Sequence, residues 1–124
     1  MKLITAEKLP APGGHYSHGV LAGKLLFISG QLPFPPGEQE FPEGIKAQSI
    51  QAMANLEAVL QAAGASLNNL VNVQIYIVDV DDWPIVNSTY SALMGAHRPA
   101  RVIIPCGPLH HGALVEISAV AEIE

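Results

Sequence analysis

The stretch that decides the fold is Ile45–Gly64, IKAQSIQAMANLEAVLQAAG, together with the alternating segment Val71–Ile77 that follows it. Apolar residues recur in the first segment at the spacing of one helical face, and Gly64 stands where a helix commonly ends. The face consists of Ile45, Ala52, Met53, Leu56, Val59, Leu60 and Ala63. In the second segment branched residues alternate with polar ones, which predicts a strand with one face in the core.

On the N-terminal side, the apolar runs Val20–Ala22 and Leu25–Ile28 flank Gly23-Lys24. A glycine at the first central position suits a two-residue type II′ turn, so these runs predict a β-hairpin. The stretch after Gln31 contains four prolines and two glycines, which exclude regular structure and predict a long loop.

On the C-terminal side a second, shorter helix is predicted before Gly95. Asp81 and Asp82 are candidate N-caps, and Pro84 suits a first helical turn. The predicted buried face of this helix consists of Trp83, Val86, Tyr90 and Leu93.

Two further strands are predicted, at Val102–Ile104 and at Ala113–Glu122. In the last strand one side carries Ala113, Val115, Ile117, Ala119, Ala121 and Ile123. The order of elements is then ββ-loop-α-β-α-β-β, an α+β fold with a mixed β-sheet. Because two helices can cover only one face of such a sheet, we expect both to pack on one face and the other face to need a partner.

Composition also predicts self-association. The 124 residues suit one domain, residues 1–124, with 49% hydrophobic but only 14% charged residues. Average soluble domains carry about 25% charged residues, so the surface has little charge to cover it. A homo-oligomer hides that surface; a monomer with an apolar surface is the alternative.

The net charge of −5 and the scattered basic residues offer no stripe for phosphate backbones, so no nucleic-acid partner is expected. No apolar run reaches the length of a membrane span, and the N-terminus lacks a signal-type apolar stretch. The single cysteine, Cys106, cannot form an internal disulfide. A cytoplasmic protein without membrane contact is therefore expected.

Arg101 opens an apolar strand directly after Pro99-Ala100, a costly position for a cation unless an anion pairs with it. The anion could be an acidic residue such as Glu116 or Glu122, or a small carboxylate ligand held by the guanidinium fork. Glu116 lies on the more polar side of the last strand, near Leu114 and Val120. It is either an ordinary exposed carboxylate or, in an apolar setting, a group that moves protons to and from water.

No metal or cofactor is predicted. The pairs His15/His18 and His110/His111 lie among glycine and proline in apparent loops, unlike the tight ligand pairs of catalytic metal sites. Cys106 lacks an assignable His/Asp pattern and is more typical of packing than of a nucleophile. No GxGxxG, Walker or serine-elbow motif is present.

Several blocks, taken in order along the whole chain, resemble the RidA (YjgF-type) reactive intermediate deaminases. Any one block is unspecific, but Ser-Gly-Gln after the hairpin, Pro-Ala-Arg before a strand and a later Val-Glu-Ile run form a strong combined signature. The blocks are Gly14–Val20, Phe27–Pro33, Asn55-Leu56 with Ala62–Gly64, Val86–Tyr90, Arg98–Arg101 and Leu114–Ile117.

This resemblance implies a chorismate-mutase-like α+β fold that assembles as a homotrimer, with an active site in each cleft between adjacent subunits. The implied reaction is cofactor-independent hydrolysis of reactive enamine or imine acids, such as 2-aminoacrylate or 2-iminopropanoate, to a 2-oxo acid and ammonia. It implies that Arg101 holds the carboxylate of a small 2-imino or 2-oxo acid and that Glu116 activates the attacking water. The residues implied to line the pocket are Tyr16, Ser29, Gly30, Asn87 and the backbone of Ile103.

The chain departs from the family pattern at Ile103, where cysteine is common, at His15, where proline is common, and at Ser118, where a second glutamate is common. The segment Pro105–His111 is atypical and is expected to reshape the cleft rim. Two other functions stay open: a module that binds or senses small carboxylates without turnover, and an endoribonuclease or translation inhibitor.

Overall fold

The computed structural model describes residues 1–124 as a six-stranded sheet with two α-helices on one of its faces. The elements are β1 (Lys2–Ile4), β2 (Gly19–Ala22), β3 (Leu25–Gln31), α1 (Ile45–Ala62), β4 (Leu70–Ile77), α2 (Trp83–Met94), β5 (Ala100–Pro105) and β6 (Val115–Glu122). The strands lie in the order β1-β2-β3-β6-β4-β5, and only β4 and β5, which are joined through α2, run parallel. The predicted α+β class with a mixed sheet is confirmed.

The core lies between the helices and one face of the sheet. Strand β6 contributes alternate residues that are at most 3% exposed: Val115, Ile117, Ala119 and Ala121. Helix α1 contributes a stripe that is fully buried: Ala52, Leu56, Val59 and Leu60. Burying each large aliphatic side chain is worth roughly 1.5–3 kcal/mol relative to exposure, so this layer is the main source of stability. The predicted faces of α1 and of the last strand are confirmed.

Two glycines act as predicted at chain reversals. Gly23 has φ +61° in the two-residue turn between the paired residues Ala22 and Leu25, and Lys24 keeps a negative φ, as a type II′ turn requires. Gly64 has φ +77° and follows the C-terminus of α1, where its N–H donates to Gln61 O at 3.0 Å. The Schellman pattern is completed by the bond from Ala65 N to Leu60 O at 2.9 Å.

Strand β1 was not predicted from the sequence, and one residue of β4 was predicted on the wrong face of the sheet. Strand β1 has three residues, too few to show a period of two, yet it pairs with β2 and buries Ile4. Val71 was expected in the core but is 41% exposed, because the β4–β6 register shifts between Leu70 and Asn72. Leu70, at 1% exposure, takes the core position instead.

The buried face of α2 is also rotated from the expected one. Trp83 and Leu93 are 40% and 39% exposed. The buried residues of this helix are Val86, Thr89, Tyr90 and Met94. The cap differs as well: neither Asp81 nor Asp82 caps α2 with its side chain. Asp79 instead accepts the Asp81 N–H at 2.9 Å, because a short 3-10 turn, Val80–Asp82, precedes the helix.

The face of the sheet opposite the helices is not covered by any other element, and it carries exposed apolar side chains. Leu25 and Phe27 of β3 and Val102 of β5 are 38%, 47% and 45% exposed. Neither α1 nor α2 combines the length and apolar character that crossing a membrane requires.

Candidate active site

A cavity of about 760 Å³ opens beside β3 and β6. Four of the candidate site residues line it: Tyr16, Ser29, Gly30 and Glu116. They come from the loop before β2, from the end of β3 and from the start of β6. The cavity is also lined by residues of the N-terminal loop and by the histidines of the turn before β6, His110 and His111.

An irregularity in β3 gives Glu116 its place. The β3–β6 register shifts between Ile28 and Gln31, so Ser29 and Gly30 lie in a bulge that bends the strand. A Cβ atom at Gly30 would lie 2.8 Å from Oε2 of Glu116, which is closer than real Cβ contacts allow. Glycine at position 30 therefore leaves the space that the carboxylate fills. The Ser29 hydroxyl donates to Ser17 O at 2.6 Å and ties the bulge to the loop that carries Tyr16.

The electrostatics of Glu116 suit proton transfer. Burial raises the pKa of the Glu116 carboxyl above its ordinary value, and the nearby positive charge of His110 partly offsets this rise. A carboxyl with a raised pKa is a stronger base when ionised, and it exchanges protons closer to neutral pH. Glu116 is therefore half-buried with a raised pKa, and it is not the ordinary exposed carboxylate that the sequence also allowed.

A second cluster surrounds Arg101 at the other side of the sheet. Nη1 of Arg101 donates to Oδ1 of Asn87 at 2.9 Å. The guanidinium carbon lies 5.0 Å from the centroid of the Tyr90 ring and 5.8 Å from that of Trp83, within reach of cation–π attraction. Since a guanidinium has five N–H donors, four are left for an anion. The ion pair with Glu116 or Glu122 that the sequence left open is not formed.

The two clusters cannot meet within one chain. Arg101 pairs with Val73, which faces the helices, whereas Glu116 pairs with Tyr76 on the opposite face. Their strands, β5 and β6, are separated by β4. Two strand spacings correspond to about 10 Å in addition to the thickness of the sheet. A ligand of about six or seven heavy atoms therefore cannot touch both side chains of the same chain.

Asn87 and Ile103 lie with Arg101 and not in the cavity. The Ile103 side chain packs against the core, and β5 forms the edge of the sheet, where part of the backbone has no strand partner. The aromatic residues beneath Arg101 were not assigned to the site from the sequence. Their signal was present: Trp83, Asn87 and Tyr90 follow the i, i+4, i+7 spacing of one helical face.

His18 serves the architecture of the cavity wall. Its Nδ1 accepts the Ala6 N–H at 3.0 Å, and its Nε2 lies 2.9 Å from Pro10 O. A backbone N–H can only donate, so the ring is the neutral tautomer with its proton on Nε2. His18 thereby fixes the segment that includes the cavity residues Leu9, Pro10 and Ala11.

Cys106 lies away from the cavity. Its backbone N–H donates to Ile77 O at 2.8 Å and so extends the contact between β4 and β5. The thiol is free and half-buried, which agrees with packing as its role.

The fold and these clusters define a small α+β protein with a half-buried carboxylate at one side of its sheet and, at the other, an arginine without an acidic partner. The chain belongs to the family described as endoribonuclease L-PSP, the YjgF/RidA family, whose model matches residues 6–123. It is 40% identical over 121 residues to a RutC family protein of Pyrococcus horikoshii, covering 97% of this chain and 96% of the relative.

Two further comparisons bear on the site. The chain is 34% identical over 123 residues to the 2-iminobutanoate/2-iminopropanoate deaminase of Escherichia coli, covering 97% of this chain and 96% of the enzyme. The crystal structure of Escherichia coli TdcF with bound serine superimposes with a TM-score of 0.94 at 28% identity, covering 100% of both chains.

Proposed function

We propose that this protein hydrolyses small 2-imino acids, and their enamine tautomers, to 2-oxo acids and ammonia. The observation that carries the proposal is the guanidinium fork of Arg101. It is held between Asn87 and Tyr90, and four of its N–H donors have no partner within the chain. A fixed fork with free donors is built to take a carboxylate in two parallel hydrogen bonds. Support also comes from the deaminase relative at 34% identity and from the amino acid bound to TdcF.

Hydrolysis of an imine needs few catalytic groups. An imine carbon is already electrophilic, so holding the carboxylate still and delivering one oriented water lowers most of the barrier that remains. Arg101 holds the carboxylate. Glu116, ionised, takes a proton from the attacking water, and the proton then passes to the departing nitrogen. Its raised pKa suits both directions of that transfer.

The site is proposed to assemble between copies of the chain. Arg101 and Glu116 lie on opposite faces of one sheet, so a single ligand can reach both only if they come from two copies. The exposed apolar side chains of the open sheet face, Leu25, Phe27 and Val102, supply a surface for such contact. A closed ring of three copies, each giving its arginine to the next copy's carboxylate cavity, makes three equal sites.

Nucleic acid is a poor fit as substrate, although the family description names an endoribonuclease. The chain carries 11 acidic and 6 basic residues, and the candidate cavity is lined by Glu116 without lysine or arginine. A phosphate backbone would meet repulsion there and no counter-charge.

The direct test is ammonia release from imines made in situ by an amino-acid oxidase. The wild-type protein is expected to accelerate release, and Arg101→Ala to lose the acceleration by about tenfold or more, the value of one to two charged hydrogen bonds. Arg98→Ala, at an exposed arginine three residues away, is the matched control and should behave as wild type. Binding of 2-oxo acids without any rate effect would show a carboxylate-binding module instead and overturn the proposal.

A further inference from the structure

The cavity that holds Glu116 has a second titratable wall, formed by His110 and His111 in the turn before β6. Both ring nitrogens of His18, and Nε2 of His97, are engaged by backbone groups. Neither His110 nor His111 makes such a hydrogen bond within the chain, and both side chains are exposed at the cavity mouth. Two imidazoles are therefore available to a ligand or to water in the cavity.

The turn that carries them is held in an unusual conformation. His111 has φ 60° and ψ 15°, the one left-handed non-glycine residue of the chain. Such a conformation costs on the order of 1 kcal/mol and persists where surrounding contacts fix it. Here the His111 ring packs edge-on against Phe34, with centroids 5.4 Å apart, and against His110 at 3.8 Å and 90°. Phe34 is itself stacked on Phe41 at 4.2 Å.

Hydrogen bonds fix the far end of the same turn. The Leu114 N–H donates to Oε1 of Gln48 on α1 at 2.9 Å, and Leu114 O accepts from Val78 N at 3.2 Å. Glu116 follows two residues later on β6, so His110 and Glu116 belong to one anchored segment. Their charges also interact, since His110 lowers the pKa that burial raises at Glu116.

We propose that His110 is a second proton-transfer group of this site, acting at the imine nitrogen while Glu116 acts on the water, with His111 positioning the His110 ring. The inference rests on the proposed deaminase function. It assigns a catalytic role to the atypical segment before β6. The other titratable groups facing the cavity are Tyr16, His18, whose ring nitrogens are both engaged, and His111.

The proton transfers balance in two steps. In the first, the water oxygen bonds to the imine carbon and the π pair moves to nitrogen. Glu116 takes one water proton, and the imidazolium of His110 gives one to nitrogen, which yields a neutral carbinolamine. In the second, the hydroxyl proton passes to His110 as the carbonyl forms. Glu116 gives its proton to nitrogen, the C–N bond breaks, ammonia leaves, and both groups return to their starting forms.

The pH dependence of the catalysed rate tests this role. The mechanism needs Glu116 ionised and His110 protonated, so kcat/KM should fall both when acid protonates the carboxylate and when base removes the imidazolium proton. His110→Gln is expected to lower kcat/KM on the order of a hundredfold, the lower end of what a positioned acid contributes, and to remove the alkaline limb. His111→Asn, which tolerates the left-handed turn, should lower kcat/KM but keep that limb.

His15→Gln provides the matched control, because His15 is exposed and does not line the cavity. It should leave both the rate and the pH profile unchanged. An active wild-type protein whose rate and alkaline limb survive His110→Gln would overturn the inference and leave the deaminase function standing. A wild-type protein that does not accelerate ammonia release would overturn both.

Discussion

At the scale of single residues, Glu116 combines a stability cost with the chemical use that we propose for it. Burial raises the pKa of its carboxyl in the folded state above that in the unfolded chain. The folded protein therefore holds this proton more readily, and the ionised carboxylate opposes folding at a pH above the raised pKa. As pH falls below that pKa the folded protein becomes protonated and the cost shrinks, and it is gone below the ordinary pKa of the unfolded chain, where both states are protonated.

Replacing Glu116 by glutamine should thus separate stability from activity. We expect Glu116→Gln to raise Tm at neutral pH and to leave it unchanged in acid, where the wild-type carboxyl is protonated. Its kcat/KM should fall by a hundredfold or more, the scale of a lost general base. Thermal unfolding and ammonia release, each followed across pH, measure both effects.

The control for this variant is Glu122→Gln, at an exposed carboxylate on the same strand, which should change neither property. A Glu116→Gln protein that is less stable than wild type at neutral pH would contradict the burial argument. When pH is lowered, the wild-type rate should begin to fall at a higher pH than it would with an ordinary glutamate, because the pKa of Glu116 is raised.

The two residues to which we assign the chemistry stand out in the sequence, but their surroundings do not. Arg101 after Pro99-Ala100 stands out as a cation in an apolar run, and Glu116 as a carboxylate in an alternating strand. That they lie on opposite faces depends on the pairing of β5 and β6 with β4, which sequence periodicity does not specify. The Tyr90 ring beneath Arg101 was read only as core packing.

At the scale of elements, the bulge in β3 controls where the Glu116 carboxylate lies. Gly30→Ala places a Cβ 2.8 Å from Oε2, and the flexible end of the glutamate can turn away to relieve the contact. The backbone at Gly30 does not need a positive φ, so alanine itself is not strained there. We expect kcat/KM to fall by about tenfold or more through misplacement of the carboxylate, with little change in Tm.

Gly107→Ala is the control for stability, because nothing lies within 4 Å of a Cβ at that position and its φ is not positive, so its Tm should be unchanged. A Gly30→Ala protein with a wild-type rate would show that the close packing of residue 30 on Glu116 is not used in the reaction. Circular dichroism melts and steady-state ammonia release suffice for both variants.

The elements themselves differ in how well the sequence predicts them. Helix α1 and strand β6 were predicted with their buried faces, because long amphipathic segments repeat their signal many times. Strand β1 was not predicted because three residues are too few to show a period of two. The predicted face of α2 differs from its buried face, and Trp83 of the predicted face lies beside Arg101 rather than in the core. Contacts between distant parts of the chain determine whether a short strand forms and which face of a helix is buried, and the local sequence pattern does not show those contacts.

At the scale of the whole molecule, we propose that each site is shared between two copies of the chain. The sparse surface charge, the uncovered sheet face and the separation of Arg101 from Glu116 all favour it. In an isolated chain, the arginine fork would lack a nearby carboxylate to act on its ligand, and the carboxylate cavity would lack a cation to hold one.

Mixing two impaired variants tests this arrangement directly. Arg101→Ala is expected to be slower by about tenfold or more and Glu116→Gln by about a hundredfold or more, so neither alone approaches a quarter of the wild-type rate. When they are unfolded together in equal amounts and refolded, a site that takes its arginine from one copy and its carboxylate from the next is intact in about one case in four. We expect recovery of about a quarter of the wild-type rate of ammonia release. A mixture that stays as slow as its two components, although it refolds into the same assembly as wild type, would contradict this arrangement.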